Sequence, residues 1–139
     1  MAVWFKDFSD EINKKINALG VAWLEEASGE VEAQTKRNTK VDTGRTKNSW
    51  EHRVDEHKLE AEVGSRYQNA LWEEFGTGIY ALNGDGRKNV PWFYKDTEGK
   101  WHATVGKKPR RAFYNAYNSL KNSIISECQR RFKRLWKKF

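Results

Sequence analysis

The N-terminal segment constrains the fold most, because its apolar side chains recur at every third or fourth position. The run begins at Phe5 and ends at Val31, and charged residues occupy the other faces. This spacing is that of an amphipathic helix. We predict one long helix over residues 6–38, with Gly20 and Gly29 as positions where it could bend; at 1.5 Å per residue it would be about 50 Å long. Such a helix exceeds the width of a small domain, so we expect part of it to project and to need a partner.

Farther along the chain the apolar period changes from helical to strand-like. Aromatic or aliphatic residues alternate with charged ones over residues 50–54 and again over 59–63, and a second pair of strand-like segments lies at 92–94 and 101–105. Alternation of this kind predicts strands with one buried face, and the short turns between the segments predict two hairpins. We therefore expect a small antiparallel sheet of about four strands.

A short helix is predicted between the two hairpins, over residues 67–75. Its apolar side would contain Ala70, Leu71 and Phe75, and the glycine that follows would end it. Residues 77–89 then form a loop, which we expect to reach a neighbouring subunit if the protein assembles.

The last helix is predicted from Pro109, a residue that suits a helix start, and the helical spacing of apolar residues continues from Ala112 to Trp136. The order is therefore helix, hairpin, short helix, hairpin, helix, which is an α+β fold. Residues 1–139 fit a single domain, since domains of about 100–150 residues hold one core.

The charge of the chain is polarised. Lys and Arg number 26 against 19 for Asp and Glu, yet residues 107–139 alone hold eleven basic residues and one acidic residue, so the remainder is net negative. Three interpretations stay open: contact with phosphates of DNA in a channel, docking on an acidic partner, or a solvated cationic face stabilised by the helix dipole. The candidate contact residues are Lys107, Lys108, Arg110, Arg111, Arg130, Arg131, Lys133, Arg134, Lys137 and Lys138.

No sequence pattern indicates catalysis, a metal or a cofactor. His52, His57 and His102 lack metal-ligand spacing, and the single Cys128 has no evident base beside it and cannot form an internal disulfide. We therefore predict a protein that is not an enzyme, has no cofactor and is made in a reducing cell interior. A signal peptide and a run of roughly 20 apolar residues are both absent from the sequence, so no membrane contact is expected.

Three strings resemble the motifs of one known family and occur in the same order along the chain. They are VDTGR at residues 41–45, the run from VGS at 63–65 to EEFGTG at 73–78, and PRRAF at 109–113. These strings are similar to motifs of the tail-completion or neck family of long-tailed bacteriophages, which are small head-to-tail connector proteins. The third string departs from the family pattern, which often has prolines and an arginine where this chain has Ala112, Asn115 and Ala116.

The resemblance implies a structural protein of the virion, made in the cytoplasm of the host bacterium and located in the neck, at the head–tail interface. Such a protein acts in viral assembly, completing the tail or joining it to the head as a component of an oligomeric ring, and would be encoded by a phage or a prophage. The implied partners are other copies of the chain, head-closure (stopper) proteins and tail terminator proteins, with non-specific contact to genome DNA in addition. The alternative function is a small basic nucleic-acid-binding module that uses the last helix.

The motif residues are interpreted as joints between elements. We expect Gly44 to adopt a positive φ, and we expect Glu73 and Glu74 to be solvated, with Glu73 as a possible anchor of the turn that follows. The residues assigned to these structural motifs are Asp42, Thr43, Gly44, Arg45, Glu74, Phe75, Gly76 and Gly78.

Overall fold

The computed structural model describes residues 2–139. It confirms an α+β fold in the predicted order, with one additional short helix and a 3-10 turn at Gly78–Tyr80. The elements are α1 (Ser9–Asn38), α2 (Arg45–Asn48), β1 (Trp50–Asp55), β2 (Glu60–Ser65), α3 (Gln68–Phe75), β3 (Trp92–Lys95), β4 (Trp101–Thr104) and α4 (Ala112–Trp136).

The two long helices, α1 and α4, pack against each other in antiparallel directions. The amide of Asn38, at the end of α1, donates to the Ala112 carbonyl at the start of α4 (3.1 Å), and the Trp23 indole N–H donates to the Ile124 carbonyl (3.1 Å). The 30 residues of α1 form one uninterrupted helix of about 45 Å, so neither internal glycine breaks it. It starts later than predicted, and residues 2–8 precede it without regular structure.

The first hairpin lies along α1, and the two glycines of that helix face it. A Cβ at Gly20 would lie 3.6 Å from the Leu59 side chain, and one at Gly29 would lie 3.7 Å from the His52 ring. Both distances are ordinary van der Waals contacts, so an alanine at either position would fit against the hairpin. The register pairs Trp50 with Ser65 and His52 with Val63, and the second strand, Glu60–Ser65, starts one residue later than the segment predicted from residue 59.

The second hairpin forms its own sheet, so the four strands make two two-stranded sheets where we expected one sheet. β3 pairs with β4 in antiparallel register, but no residue of either strand is buried. With no buried face, this hairpin has nothing to pack against the first one. It is attached instead through backbone hydrogen bonds from Thr77 N–H to the Lys107 carbonyl (2.9 Å) and from Ile79 N–H to the Val105 carbonyl (3.1 Å).

The buried face of α3 differs from the predicted one. Ala70 and Glu74 are buried, whereas Leu71 and Phe75, which we expected in the core, are 51% and 38% exposed. The four-residue spacing of Ala70 and Glu74 places them on one side of the helix, and that side faces α4. The apolar side of α3 is left open to solvent.

The turn before α2 has the conformation expected of it. Gly44 has φ +85° and precedes the first residue of α2, and the Thr43 hydroxyl accepts from the Arg45 N–H (3.3 Å). A side chain at Gly44 would hold the backbone in a region that costs of order 1–3 kcal/mol.

The core is small and lies where the end of α1, the start of β1, α3 and the start of α4 meet. Its apolar members include one aromatic residue, Trp50, whose ring stacks on Phe113 with centroids 6.0 Å apart. The buried apolar residues are Val31, Trp50, Ala70, Ala112 and Ala116.

A partly buried ion-pair cluster joins the first hairpin to α1. The His52 ring lies against the Glu32 carboxylate, and its Nε2 is 3.2 Å from a Glu25 oxygen. The hydrogen bond to Glu32 raises the pKa of His52 above 6.5, against the opposing effect of burial, and the hydrogen bond to Glu25 adds to the rise. Burial alone would raise the pKa of Glu32, but hydrogen bonds from Lys36 and His52 outweigh it and lower that pKa.

We predict that stability decreases as the pH rises above about 6.5. A histidine whose pKa is raised by folding stabilises the protein fully below its unfolded pKa of about 6.5 and loses that effect as the pH passes through the folded value. The wild type should therefore melt at a higher temperature than His52→Gln near pH 6, and the difference should shrink as the pH rises toward about 9. His57→Gln, a change at an exposed turn, is the matched control. A wild-type advantage over His52→Gln that is the same at every pH would contradict the prediction.

Candidate assembly surfaces

The two glutamates at the end of α3 have different partners. The buried Glu74 carboxylate accepts hydrogen bonds from the backbone N–H groups of Phe113 (3.0 Å) and Tyr114 (2.9 Å), in the first turn of α4. These N–H groups have no partner within the helix, and the positive end of the helix dipole favours a carboxylate there. The expectation that Glu74 is solvated is wrong, because it caps α4 from another element.

Glu73 connects α3 to the segment that leads into α4. Its carboxylate pairs with the Lys107 ammonium and with the Arg110 guanidinium (Nε to Oε2, 3.0 Å), and its carbonyl accepts from the Arg110 N–H (2.7 Å). Glu73 therefore anchors the chain entering α4, a role close to the expected anchoring of a turn.

The glycines after Phe75 are required by close backbone contact. Gly76 and Gly78 have φ of +78° and +58°, and a Cβ on Gly78 would collide with the Val105 carbonyl. Gly106 and Gly86 would meet Thr77 and Gly78 in the same way. The interpretation of Gly76 and Gly78 as joints between elements thus has a specific cause, because two chain segments touch here without side chains between them.

The candidate basic residues fall into two groups separated by the length of α4. The first group, at the start of the helix, is largely engaged within the chain: Lys107 and Arg110 pair with Glu73, and the Arg111 guanidinium lies 4.1 Å over the Tyr114 ring. Lys108 lies over the Tyr80 ring, at 5.7 Å. These cations mainly hold the junction of α3 and α4 together.

The second basic group, at the end of α4, is only partly engaged. Arg131 pairs with Glu26 of α1 and with Glu127, and these hydrogen bonds raise its pKa further above the ordinary value. Arg130 also pairs with Glu127 (2.6 Å). Within residues 2–139, the other four members of this group are exposed and make no ion pair; we call them the basic tip, and they are Lys133, Arg134, Lys137 and Lys138.

Large apolar side chains are exposed over much of the molecule. Trp4 and Phe5, before α1, are 90% and 93% exposed, and Trp136 near the other terminus is 68% exposed. The accessible surface is 10,682 Å². A compact monomer of 16.3 kDa is expected to expose about 7,500 Å².

The three histidines are held in separate places. His52 is in the ion-pair cluster on α1, His57 is in the turn of the first hairpin, and His102 bonds Asp96 through its Nε2 (2.7 Å) in the second hairpin. Among the described residues there is no group of three or more His, Cys, Asp or Glu side chains arranged to hold a metal ion. In the same part of the chain, no helix combines the length and the apolar character that crossing a membrane requires.

The sequence indicated the basic residues as candidate contacts but not the partners that engage some of them. The partners of Lys107 and Arg110 are on α3, more than 30 residues earlier in the chain, and neither local pattern indicates the pairing.

The comparison with protein families gives one match. The model of the family described as "Bacteriophage HK97-gp10, putative tail-component" matches residues 5–76, just over half of the chain. The matched segment runs from before α1 to the residue after α3, and so includes the turn at Gly44 and both glutamates of α3. No curated protein and no solved structure matches the chain.

We predict that Glu74→Ala destabilises the fold strongly. It would leave two N–H groups without an acceptor, and each orphaned buried donor costs about 1–3 kcal/mol. The free energy of unfolding in urea should fall accordingly, with Glu74→Gln intermediate because it keeps one acceptor oxygen. Glu30→Ala, at an exposed position of α1, is the control and should stay within about 0.5 kcal/mol of wild type. Equal effects at positions 74 and 30 would refute the capping role.

Proposed function

The chain belongs to the HK97-gp10-like family of bacteriophage tail components, and we propose that it is a neck protein that completes the tail or joins it to the head as a ring subunit. It would be built into the virion after synthesis in the cytoplasm of the host bacterium, from a phage or prophage gene. Its task is geometric, and no catalytic step is part of it.

The single observation that carries this proposal is the excess of exposed surface. The chain exposes 10,682 Å², about 3,000 Å² more than a compact monomer of its mass. A specific interface covers about 800 Å² on each partner. Two interfaces with neighbouring copies and two with the neck proteins above and below would together bury about 3,200 Å², which is close to the excess and is what a ring subunit stacked between other rings must bury.

The shape of the chain also supports assembly by unlike surfaces. Because α1 and α4 are antiparallel, both chain termini and the basic tip lie at one end of the helix pair, and α3 with the second hairpin lies at the other end. Contacts between unlike ends are heterologous, and such contacts form a ring when the rotation closes. The proposed partners are therefore copies of this chain and the head-closure and tail terminator proteins above and below it.

The proposed location can be tested by electron microscopy of virions. We expect an antibody or a fused tag to label the neck, and we expect deletion of the gene to yield separate heads and tails. A complementing gene with Trp4→Ala and Phe5→Ala should restore fewer joined particles than one with Thr97→Ala, a change at an exposed turn. Normal numbers of joined virions from the deletion would overturn the proposal.

A second candidate function, non-specific DNA contact, is favoured by the basic tip. If the tip lines a channel, its four cations would meet phosphates, and the binding would weaken steeply with salt. Docking on an acidic protein uses the same residues, so the two uses must be separated by experiment.

We predict retention on duplex DNA at about 50 mM salt and loss by about 200 mM if DNA is the partner. Replacing the tip residues Lys133, Arg134, Lys137 and Lys138 by Gln should abolish retention. The matched control makes the same change in net charge at four exposed lysines outside α4, namely Lys40, Lys58, Lys88 and Lys100. Absence of retention at both salt concentrations, or equal loss in both variants, excludes a specific role for the tip in DNA contact.

A further inference from the structure

An open cleft lies between α3 and the second hairpin. Its volume is about 770 Å³, within the range of about 300–1,000 Å³ in which proteins hold compact ligands. The apolar side of α3 forms one wall and β3 the other; the side chains that matter here are Leu71, Trp72, Phe75, Trp92 and Tyr94.

The cleft is built on backbone that cannot easily close it. Its lining contains Gly76, Gly78, Gly86 and Gly106, which are packed backbone to backbone, and a Cβ atom on any of the four would collide with neighbouring main chain. Its aromatic walls are nevertheless exposed, with Trp72 and Tyr94 each 47% accessible. A rigid apolar cleft with exposed walls is suited to an apolar segment that inserts into it.

The same chain carries a segment of matching chemistry. Residues 2–8, which we call the arm, have no regular structure, and their two aromatic residues Trp4 and Phe5 are almost fully exposed. With the exposed half of Phe8 they would bury about 400–600 Å² on the arm side, at about 150–250 Å² for each full aromatic side chain. This approaches the roughly 800 Å² per partner of a specific interface.

The charges of the arm and the cleft can pair. The cleft is lined by one anion, Asp85, and by two cations, Arg87 and Lys107, while the arm carries Lys6 and Asp7. Lys107 pairs with Glu73, whereas neither Asp85 nor Arg87 makes an ion pair with any residue between 2 and 139. An inserted arm therefore brings one charge of each sign to a site that offers one charge of each sign.

The arm cannot fill the cleft of its own chain. The cleft lies beside the end of α1, because Lys107 and Gly76 line it and the adjoining segment reaches Asn38 through Ala112. The arm lies at the start of α1, about 45 Å away along the helix, while Trp4 is at most about 18 Å from Ser9 even in an extended chain. Only the arm of a second copy can reach the cleft.

We propose that the N-terminal arm of one copy of this chain docks in the cleft between α3 and the second hairpin of the next copy. This inference deepens the proposed ring, on which its biological role rests. The contact joins opposite ends of two subunits, so each subunit gives one arm and receives one, as a closed ring requires.

The test measures arm binding without requiring a ring. The receptor is the full chain with Trp4→Ala and Phe5→Ala, so that its own arm does not compete, and the probe is a fluorescein-labelled synthetic peptide of residues 2–9. We expect saturable binding by fluorescence anisotropy with a Kd of about 10–500 µM, as suits a small interface. The same peptide with both aromatics replaced by Ala should bind at least about tenfold more weakly.

Receptor variants locate the site. Leu71→Arg on α3 and Tyr94→Arg on β3 alter opposite walls and should each weaken peptide binding at least about tenfold. The control is Ile125→Arg on α4, whose exposure of 53% matches the 51% of Leu71, and it should bind as the receptor does. Circular dichroism checks that each variant is folded, and two independent walls keep the test valid if one variant fails.

Three results would overturn the proposal: no saturable binding at millimolar peptide, equal binding of the Ala-substituted peptide, or equal effects of the wall variants and Ile125→Arg. Because the peptide assay needs no ring, a negative result leaves the proposed neck function standing. Conversely, if the peptide binds but the protein is not found at the neck of virions, the arm contact stands and the proposed neck function does not.

Discussion

The capping of α4 by the buried Glu74 carboxylate is the interaction on which the arrangement of α3 and α4 depends. The carboxylate accepts hydrogen bonds from two backbone N–H groups in the first turn of α4. It therefore fixes the direction in which α4 leaves α3. The residue just before the helix, Arg111, has φ +58°, a left-handed conformation that is unfavourable for a side-chain-bearing residue. Two charge-assisted hydrogen bonds, together with the stacking of Arg111 on Tyr114, compensate for this backbone cost.

The same junction explains why the helix pair can be long while the core is small. The closest packing is at one end, around Trp50, Ala70 and Ala116, and beyond it α1 and α4 are joined by separate contacts such as Trp23 to Ile124 and Arg131 to Glu26. Exposed ion pairs contribute little each, about 0–1 kcal/mol. The junction is therefore packed more closely than the distal part of the helix pair.

The sequence predicted the helices and hairpins because their periods are local properties. The spacing of apolar residues located α1 and α4 to within a few residues, and alternation located both strands of the first hairpin to within two residues. The family assignment also followed from strings in the sequence and is confirmed by the match over residues 5–76. The separation into two sheets was not predictable, since it depends on which strand faces find a surface to cover.

The sequence could not predict the surfaces, because they depend on partners distant in the chain. The helical period assigned Leu71 and Phe75 to the core, yet Glu74 takes the buried side because α4 needs an acceptor there. The ten basic candidates fall in two groups, at residues 107–111 and 130–138, which α4 separates by about 37 Å at 1.5 Å per residue, and α3 neutralises part of the first group. The count of basic residues in the sequence thus overstated the number of cations that are exposed without an ion-pair partner.

The burial of Glu74 gives the two sides of one short helix different environments. Its carboxylate faces α4 and caps it, whereas Trp72, about 200° away around the helix, lies on the other side and is 47% exposed. Leu71 lies only about 60° from Glu74 around the helix and is still 51% exposed, so the buried side of α3 is narrow. The helix that orients α4 through its polar cap therefore presents apolar side chains to the cleft beside it.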